Sequence, residues 1–246
     1  MRFKIYIFLL IFPLGILSQA QEHLEHTQWT NLLKKYVDAK GNVNYKGFKK
    51  DEAALDKYLS ILSNNHPNST WSKDDQLAFW INAYNAFTIK LIVKNYPVQS
   101  IKELGGGIYK VNTAWDIKFI KIGDETYDLN NIEHGIIRKD FNEPRIHFAV
   151  NCASESCPPL RNEAFVGANL EKQLAEQSRN FLKDKSKNII TAEKAQLSKL
   201  FTWFKGDFTD RYESINAFIN EYSSVKISDN TEISYLDYSW KLNDSK

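Results

Sequence analysis

Cysteine is scarce in this chain: Cys152 and Cys157 are the only two among 246 residues. They do not form a CxxC pair, and no HxxxH spacing accompanies them. His134, His147, Cys152 and Cys157 are therefore suitable zinc-ligand types without the close pairing of a zinc site, and no metal is expected. Charge of one sign is also missing. The 32 lysines and arginines stand against 30 aspartates and glutamates, with no arginine-rich run, so the electrostatic footprint of a nucleic-acid binder is absent. No stretch of proline, serine and glycine is long enough to divide the chain, and there are no repeats of fixed period. Gly105-Gly106-Gly107 is not followed by Gly-Lys-Ser/Thr, and no serine stands in a Gly-x-Ser-x-Gly elbow. Neither a phosphate loop nor a serine hydrolase is signalled, and no cofactor is expected.

The one long apolar run lies at the start. Arg2 and Lys4 precede Ile5–Leu17, and Ser18-Gln19-Ala20 leads into polar Gln21-Glu22-His23. A short basic region, an apolar core and small residues before a cut are the pattern of a signal peptide, with cleavage expected after Ala20. The run is shorter than the roughly 20 residues that span a bilayer, and Pro13 interrupts it. No cysteine near Ala20 supports a lipid anchor. Residues 21–246 are thus expected to form an exported, periplasmic or secreted single domain without a membrane span. Loss of Arg2 and Lys4 leaves its basic and acidic residues equal at 30 each. With 43% hydrophobic and 13% aromatic residues overall, such a length can bury a substantial core.

The hydrophobic periodicity predicts amphipathic helices around Trp29–Val37 and over 49–62, with a short extended piece at Val43–Tyr45 between them. Ser72 followed by Asp75 signals the start of a helix that is apolar on nearly every side from Leu77 to Phe87, so it belongs in the centre of the fold. It is expected to end near Lys94-Asn95. Gly123-Asp124 fits the turn of a hairpin within Trp115–Leu129, and Asn130 is placed to cap a helix carrying Glu133 and His134. The alternation of Ile146, Phe148 and Val150 with Arg145, His147 and Ala149 predicts a core strand. Helices around Leu170–Leu182 and Ile215–Tyr222 and a last strand at Ile233–Trp240 complete the reading. Helices and strands intermingle without βαβ alternation, which favours α+β, one globular domain with a central buried helix and a mainly antiparallel sheet.

Three segments stand out: Phe79-Trp80-Ile81-Asn82-Ala83-Tyr84-Asn85-Ala86, Leu129–Arg138 around Ile132-Glu133-His134, and His147-Phe148-Ala149-Val150-Asn151-Cys152-Ala153-Ser154-Glu155-Ser156-Cys157-Pro158. Together they resemble the family catalogued as domain of unknown function 547, and the resemblance runs from roughly Trp29 to Asn243. The family name carries no reaction. The resemblance implies that the first cysteine is the more typical one, whereas the second can be serine in plant relatives.

Asn82 and Asn85 share a helix face, where a buried amide either pins neighbouring backbone or orients a catalytic histidine. Two chemistries are open at the cysteines. In an exported protein Cys152 and Cys157 can form a disulfide, provided that Ala153–Ser156 curls tightly. Alternatively Cys152 is a functional thiol that needs a base. If 147–152 is extended, His147 lies roughly 16 Å from Cys152, so His134, arriving on a separate helix, is the better base. His147 is then a second acid/base or an oxyanion donor, and Glu133 a helix cap. The enzyme reading is a cysteine-dependent hydrolase or acyl transferase acting on an amide or ester of a small molecule or peptide. The rival is a non-catalytic binding or scaffold domain stapled by Cys152–Cys157.

Overall fold

The computed structural model describes residues 24–106 and 113–245, so the expected signal peptide lies outside the described residues. The helices α1 (Thr27–Tyr36), α2 (Tyr45–Lys50), α3 (Glu52–Asn64) and α4 (Lys73–Asn95) come first. The stretch read as one helix over 49–62 is broken at Asp51, which ends α2 and precedes α3. Val43 makes only isolated bridges to Val37 and Asp244, and Tyr45 already begins α2.

The helix α4 starts and stops where its sequence signals place it. The Ser72 Oγ accepts the Asp75 N–H at 3.0 Å, satisfying one of the donors orphaned at a helix start. Asp74 and Asp75 add negative charge beside the positive end of the helix dipole. Sixteen of its residues, from Leu77 to Val93, are buried, so α4 is wrapped on all sides by the first hydrophobic core.

A hairpin follows, β1 (Ile120–Ile122) against β2 (Glu125–Tyr127), antiparallel, with Ile122 opposite Glu125. Gly123 takes φ +59° at its turn, the position where a side chain would be strained. The next helical segment begins two residues earlier than expected. It is Asp128, not Asn130, that accepts the first free N–H, that of Asn131, at 2.6 Å. Asn130 instead donates to Asp116 at 2.6 Å. The segment Asn131–Ile137 is a π-helix, continued by the short α5 (Arg138–Asp140).

The expected strand at 145–150 is a 3₁₀ turn over Pro144–Phe148. Pro144 cannot donate to a ladder, and Glu143 takes both the Arg145 N–H (3.0 Å) and its guanidinium (2.6 and 2.7 Å). The alternation misleads because neither face is solvated: Arg145 and His147 are as buried as Ile146 and Phe148. Ile146, Ala149 and Val150 enter the first core. Phe148 enters a second one, packed with Phe181, Phe201, Phe208 and Phe218.

That second core is built from α6 (Leu170–Lys183), α7 (Leu200–Trp203), α8 (Lys205–Arg211) and α9 (Ile215–Tyr222), with a sheet of β3 (Ile189–Ile190), β4 (Lys194–Leu197) and β5 (Glu232–Tyr235). The strand β3 pairs antiparallel with β4, and β4 parallel with β5. The last strand therefore ends at Tyr235, short of the expected Trp240. The molecule is a mixed α+β globule around α4, and the 144–150 turn joins its two cores.

Candidate functional site

The two asparagines of α4 hold loops in place. Asn82 exchanges both amide bonds with the Phe165 backbone, at 2.7 and 3.0 Å. Asn85 donates to the Ala149 carbonyl at 2.9 Å and accepts the Asn151 N–H at 2.8 Å, which fixes the entry to the cysteine loop. Asn151 continues the network, donating to the Pro158 carbonyl and accepting the Ala153 N–H, each at 2.8 Å. Neither Asn82 nor Asn85 hydrogen-bonds a histidine among the described residues. The helix residue that reaches the cleft is Tyr84, which the sequence reading passed over.

Cys152 and Cys157 are joined in a disulfide, with their Cα atoms 6.3 Å apart. The tight curl comes from Ala153 at φ 60°, a conformation uncommon for a residue with a side chain, and from the Cys157 N–H bonding the Ser154 carbonyl at 3.1 Å. The chain end clamps this curl from outside: Glu155 N–H bonds the Lys241 carbonyl at 2.7 Å, and Asn243 N–H bonds the Ala153 carbonyl at 3.2 Å. Hydroxyls surround the sulfurs. The Tyr238 oxygen lies 3.4 Å from each Sγ, and Ser154 Oγ lies 3.4 Å from that of Cys157. Burial pushes the Tyr238 hydroxyl up to about 12, so it stays a neutral donor.

Cys152 and Cys157 form one wall of a cleft of about 190 Å³ at the junction of the two cores. Tyr84, Glu133, His134 and His147 line it, and Trp115, Trp203, Phe204, Tyr238 and Trp240 surround it with rings. Larger hollows lie beside Trp71 (about 530 Å³) and between the Asp38–Asn42 loop and α6 (about 810 Å³), but neither contains sulfur or an unpartnered buried atom.

The polar side of the cleft is an ordered chain of hydrogen bonds. Asp207 on α8 accepts from Arg138 Nε and Nη2 at 2.6 and 2.7 Å and from His147 Nε2 at 2.7 Å. Arg138 Nη1 donates to His134 Nδ1 at 2.9 Å. The partners fix the tautomers. An arginine can only donate, so His134 Nδ1 carries a lone pair, and its Nε2–H is a donor. A carboxylate can only accept, so His147 carries its proton on Nε2. The remaining nitrogen of His147, Nδ1, is buried with no hydrogen-bond partner. Phe204 stacks on this ring with centroids 3.8 Å apart.

Burial lowers the His147 pKa below its ordinary value and outweighs the opposing bond to Asp207, so the ring is neutral at neutral pH. Burial works against ionisation at Asp207 too. There the bonds from Arg138 and His147 prevail and hold the carboxyl well below the usual range. Burial and the nearby Glu133 push Tyr84 well above an ordinary phenol.

The geometry corrects two expectations. Glu133 is not a helix cap but a buried side chain of the cleft. Turning by fewer degrees per residue than an α-helix, the π-helix lets both Glu133 and its neighbour His134 line one space. Residues 147 and 148 belong to a 3₁₀ turn, so the extended-strand distance that set His147 aside does not apply. Asp207, Tyr84, Trp203 and Tyr238 were missed, and no local signal marks Asp207, which lies 60 residues from the histidine it holds. Among the described residues, no group of three or more His, Cys, Asp or Glu side chains is arranged to hold a metal ion, and no helix is long and apolar enough to cross a membrane.

Fold and cleft together define an α+β domain with a disulfide-walled aromatic cleft and a buried, carboxylate-held histidine. Residues 68–182 match the family described as "Protein of unknown function, DUF547", and the chain carries a domain of that family. The matched segment includes α4, the Glu133-His134 turn and the cysteine loop, whereas Trp203, Asp207, Tyr238 and Trp240 lie beyond it. No curated protein and no solved structure matches the chain.

Proposed function

We propose that the cleft is the centre of a cysteine-dependent hydrolase or acyl transferase acting on an amide or ester outside the cytoplasm, active once Cys152–Cys157 has been reduced. The observation that carries this reading is the unpartnered Nδ1 of His147: a neutral imidazole, its tautomer fixed by Asp207, keeps an unused lone pair on a ring that lines the same cleft as Cys152. A base held by a carboxylate beside a thiol is the arrangement that activates a nucleophile. In this reading the histidines exchange the roles expected from the sequence. His147 is the base, and His134, whose Nδ1 is taken by Arg138, offers Nε2–H to a developing oxyanion or leaving group.

Reduction by two equivalents of a small thiol, which leave as their own disulfide, gives two free thiols. The Cys152 proton passes to His147 Nδ1 as sulfur bonds the carbonyl carbon. The C–N or C–O bond then breaks, and the departing amine or alcohol takes that proton. Water or an acceptor nucleophile cleaves the thioester and restores the thiol.

Alkylation of the native protein with and without a mild reductant tests this. Cys152 should label fast near pH 7 after reduction, and His147→Gln should slow it. Labelling of reduced Cys152 no faster than that of an ordinary thiol removes the catalytic reading. One observation favours a second reading, a binding domain: the disulfide is closed. That reading expects both sulfurs to resist mild reductant.

The export part of the proposal rests on the pattern before Gln21. N-terminal sequencing of the protein recovered outside the cytoplasm is expected to begin near Gln21, and retention of Met1 would remove this part.

A further inference from the structure

The aromatic rim of the cleft encloses an acidic side chain, Glu133, that has no ion pair among the described residues. It is 7% exposed and lines the cleft. Arg138 is close enough to feel it, yet the guanidinium is engaged elsewhere: Nε and Nη2 bind Asp207, and Nη1 binds His134. Arg138 and Asp207 cancel, and His147 is neutral. A buried carboxylate left without a cation is costly unless something outside the chain supplies one.

We infer that the cleft takes an ammonium-bearing ligand, its positive charge held between the Glu133 carboxylate and the faces of the rim aromatics. This deepens the reading of the cleft as the working site and names the charge of what it accepts. The rings are suited to that task. Trp203, Tyr238 and Trp240 are mutual neighbours, with centroids 4.8 to 6.0 Å apart, and Trp115 adds an edge contact to Trp240 at 5.6 Å. Trp203 is 46% exposed, a large apolar side chain kept at the mouth and not folded away. Ring faces carry negative electrostatic potential, and a cage of them is the recurrent receptor for substituted ammonium groups. The chain already makes one such contact here, for Lys102 Nζ lies 4.0 Å from the Trp240 centroid.

The alternatives fit less well. An anion would meet both Glu133 and the negative ring faces. A neutral apolar group would satisfy the rings and leave Glu133 desolvated with the neutral Tyr84 hydroxyl as its partner and no cation. At about 190 Å³ the space suits a headgroup and not a whole drug-sized molecule, for which about 300–1,000 Å³ is usual. The remainder of a substrate would extend past Trp203 toward solvent.

Choline and its uncharged carbon isostere, 3,3-dimethylbutan-1-ol, have nearly the same shape, so a titration of each into the full oxidised protein, followed by tryptophan fluorescence and calorimetry, isolates the charge. Choline is expected to bind at least about tenfold more tightly than the isostere. Glu133→Gln should abolish most of that preference. Trp203→Ala, at an exposed position, should weaken choline binding several-fold. Equal or tighter binding of the isostere, absence of choline binding at millimolar concentration, or an undiminished preference in a folded Glu133→Gln protein would each overturn the inference. Because the titration uses the disulfide form, it is independent of thiol chemistry. Slow alkylation with intact choline preference removes only the acyl-transfer reading, and fast alkylation without the preference removes only this one.

Discussion

Asn85→Leu is expected to destabilise the domain by about 2–6 kcal/mol, although it places an apolar side chain in an apolar core. The Asn85 amide is the partner of two buried backbone groups, the Ala149 carbonyl and the Asn151 N–H, and each buried group left unpaired costs roughly 1–3 kcal/mol. Leucine can satisfy neither. Asn82→Leu should cost a similar amount through the Phe165 backbone, but the two variants should differ at the disulfide. Asn85 holds the residues leading directly into Cys152, so its loss should make Cys152–Cys157 easier to reduce, whereas Asn82 acts on a different loop. Urea denaturation measures the first effect and reductant titration the second. An unchanged midpoint for Asn85→Leu would refute the assignment of this amide as the peg of the cysteine loop.

Asp207→Ala is expected to cost about 2–3 kcal/mol at neutral pH. Removing one member of a fully buried charged pair costs about 3–5 kcal/mol. Here the side chains of Asp207 and Arg138 are 24% and 30% exposed, so water recovers part of that. The variant also leaves the His147 Nε2–H without its acceptor, and the tautomer that exposes Nδ1 is no longer enforced.

The pH dependence follows from the directions of the two shifts. Asp207 has a lowered pKa, so its contribution is fully present above the unfolded value of about 3.9 and is lost as pH falls through the folded one. His147 is also lowered, because the fold resists protonating it while the unfolded chain does not. Its contribution is present above the unfolded value of about 6.5 and declines as pH falls toward the folded one. The domain should therefore lose stability on acidification from pH 7 to 5, by at most about 1.4 kcal/mol per pH unit from this group. His147→Gln should flatten that slope. Thermal melts across the range decide it, and a slope unaffected by His147→Gln would show that the buried histidine is not its source.

The cleft also explains what could be read from the chain alone and what could not. Periodicity and caps are local, so α4 was legible from Ser72 and Leu77–Phe87, as was the hairpin at Gly123-Asp124. The shared face of Asn82 and Asn85 and the clustering of unusual residues at Glu133-His134 and His147–Cys157 were equally plain. The 144–150 turn was misread because alternation marks a strand only when one face meets water, and here two cores bury both faces. Whether Cys152 and Cys157 join depended on a curl set by Ala153 and by the chain end at Lys241 and Asn243, almost ninety residues downstream. The sequence by itself determined the α+β class, the central helix and the residue types available for chemistry, since these follow from local propensity and hydrophobic pattern. Only the tertiary structure decided that Asp207 fixes the His147 tautomer, that Trp203 and Tyr238 close the cleft, and that Glu133 is buried there with no ion pair among the described residues. Hydrogen bonding and charge compensation act between neighbours in space, and spacing along a chain does not encode which residues those will be.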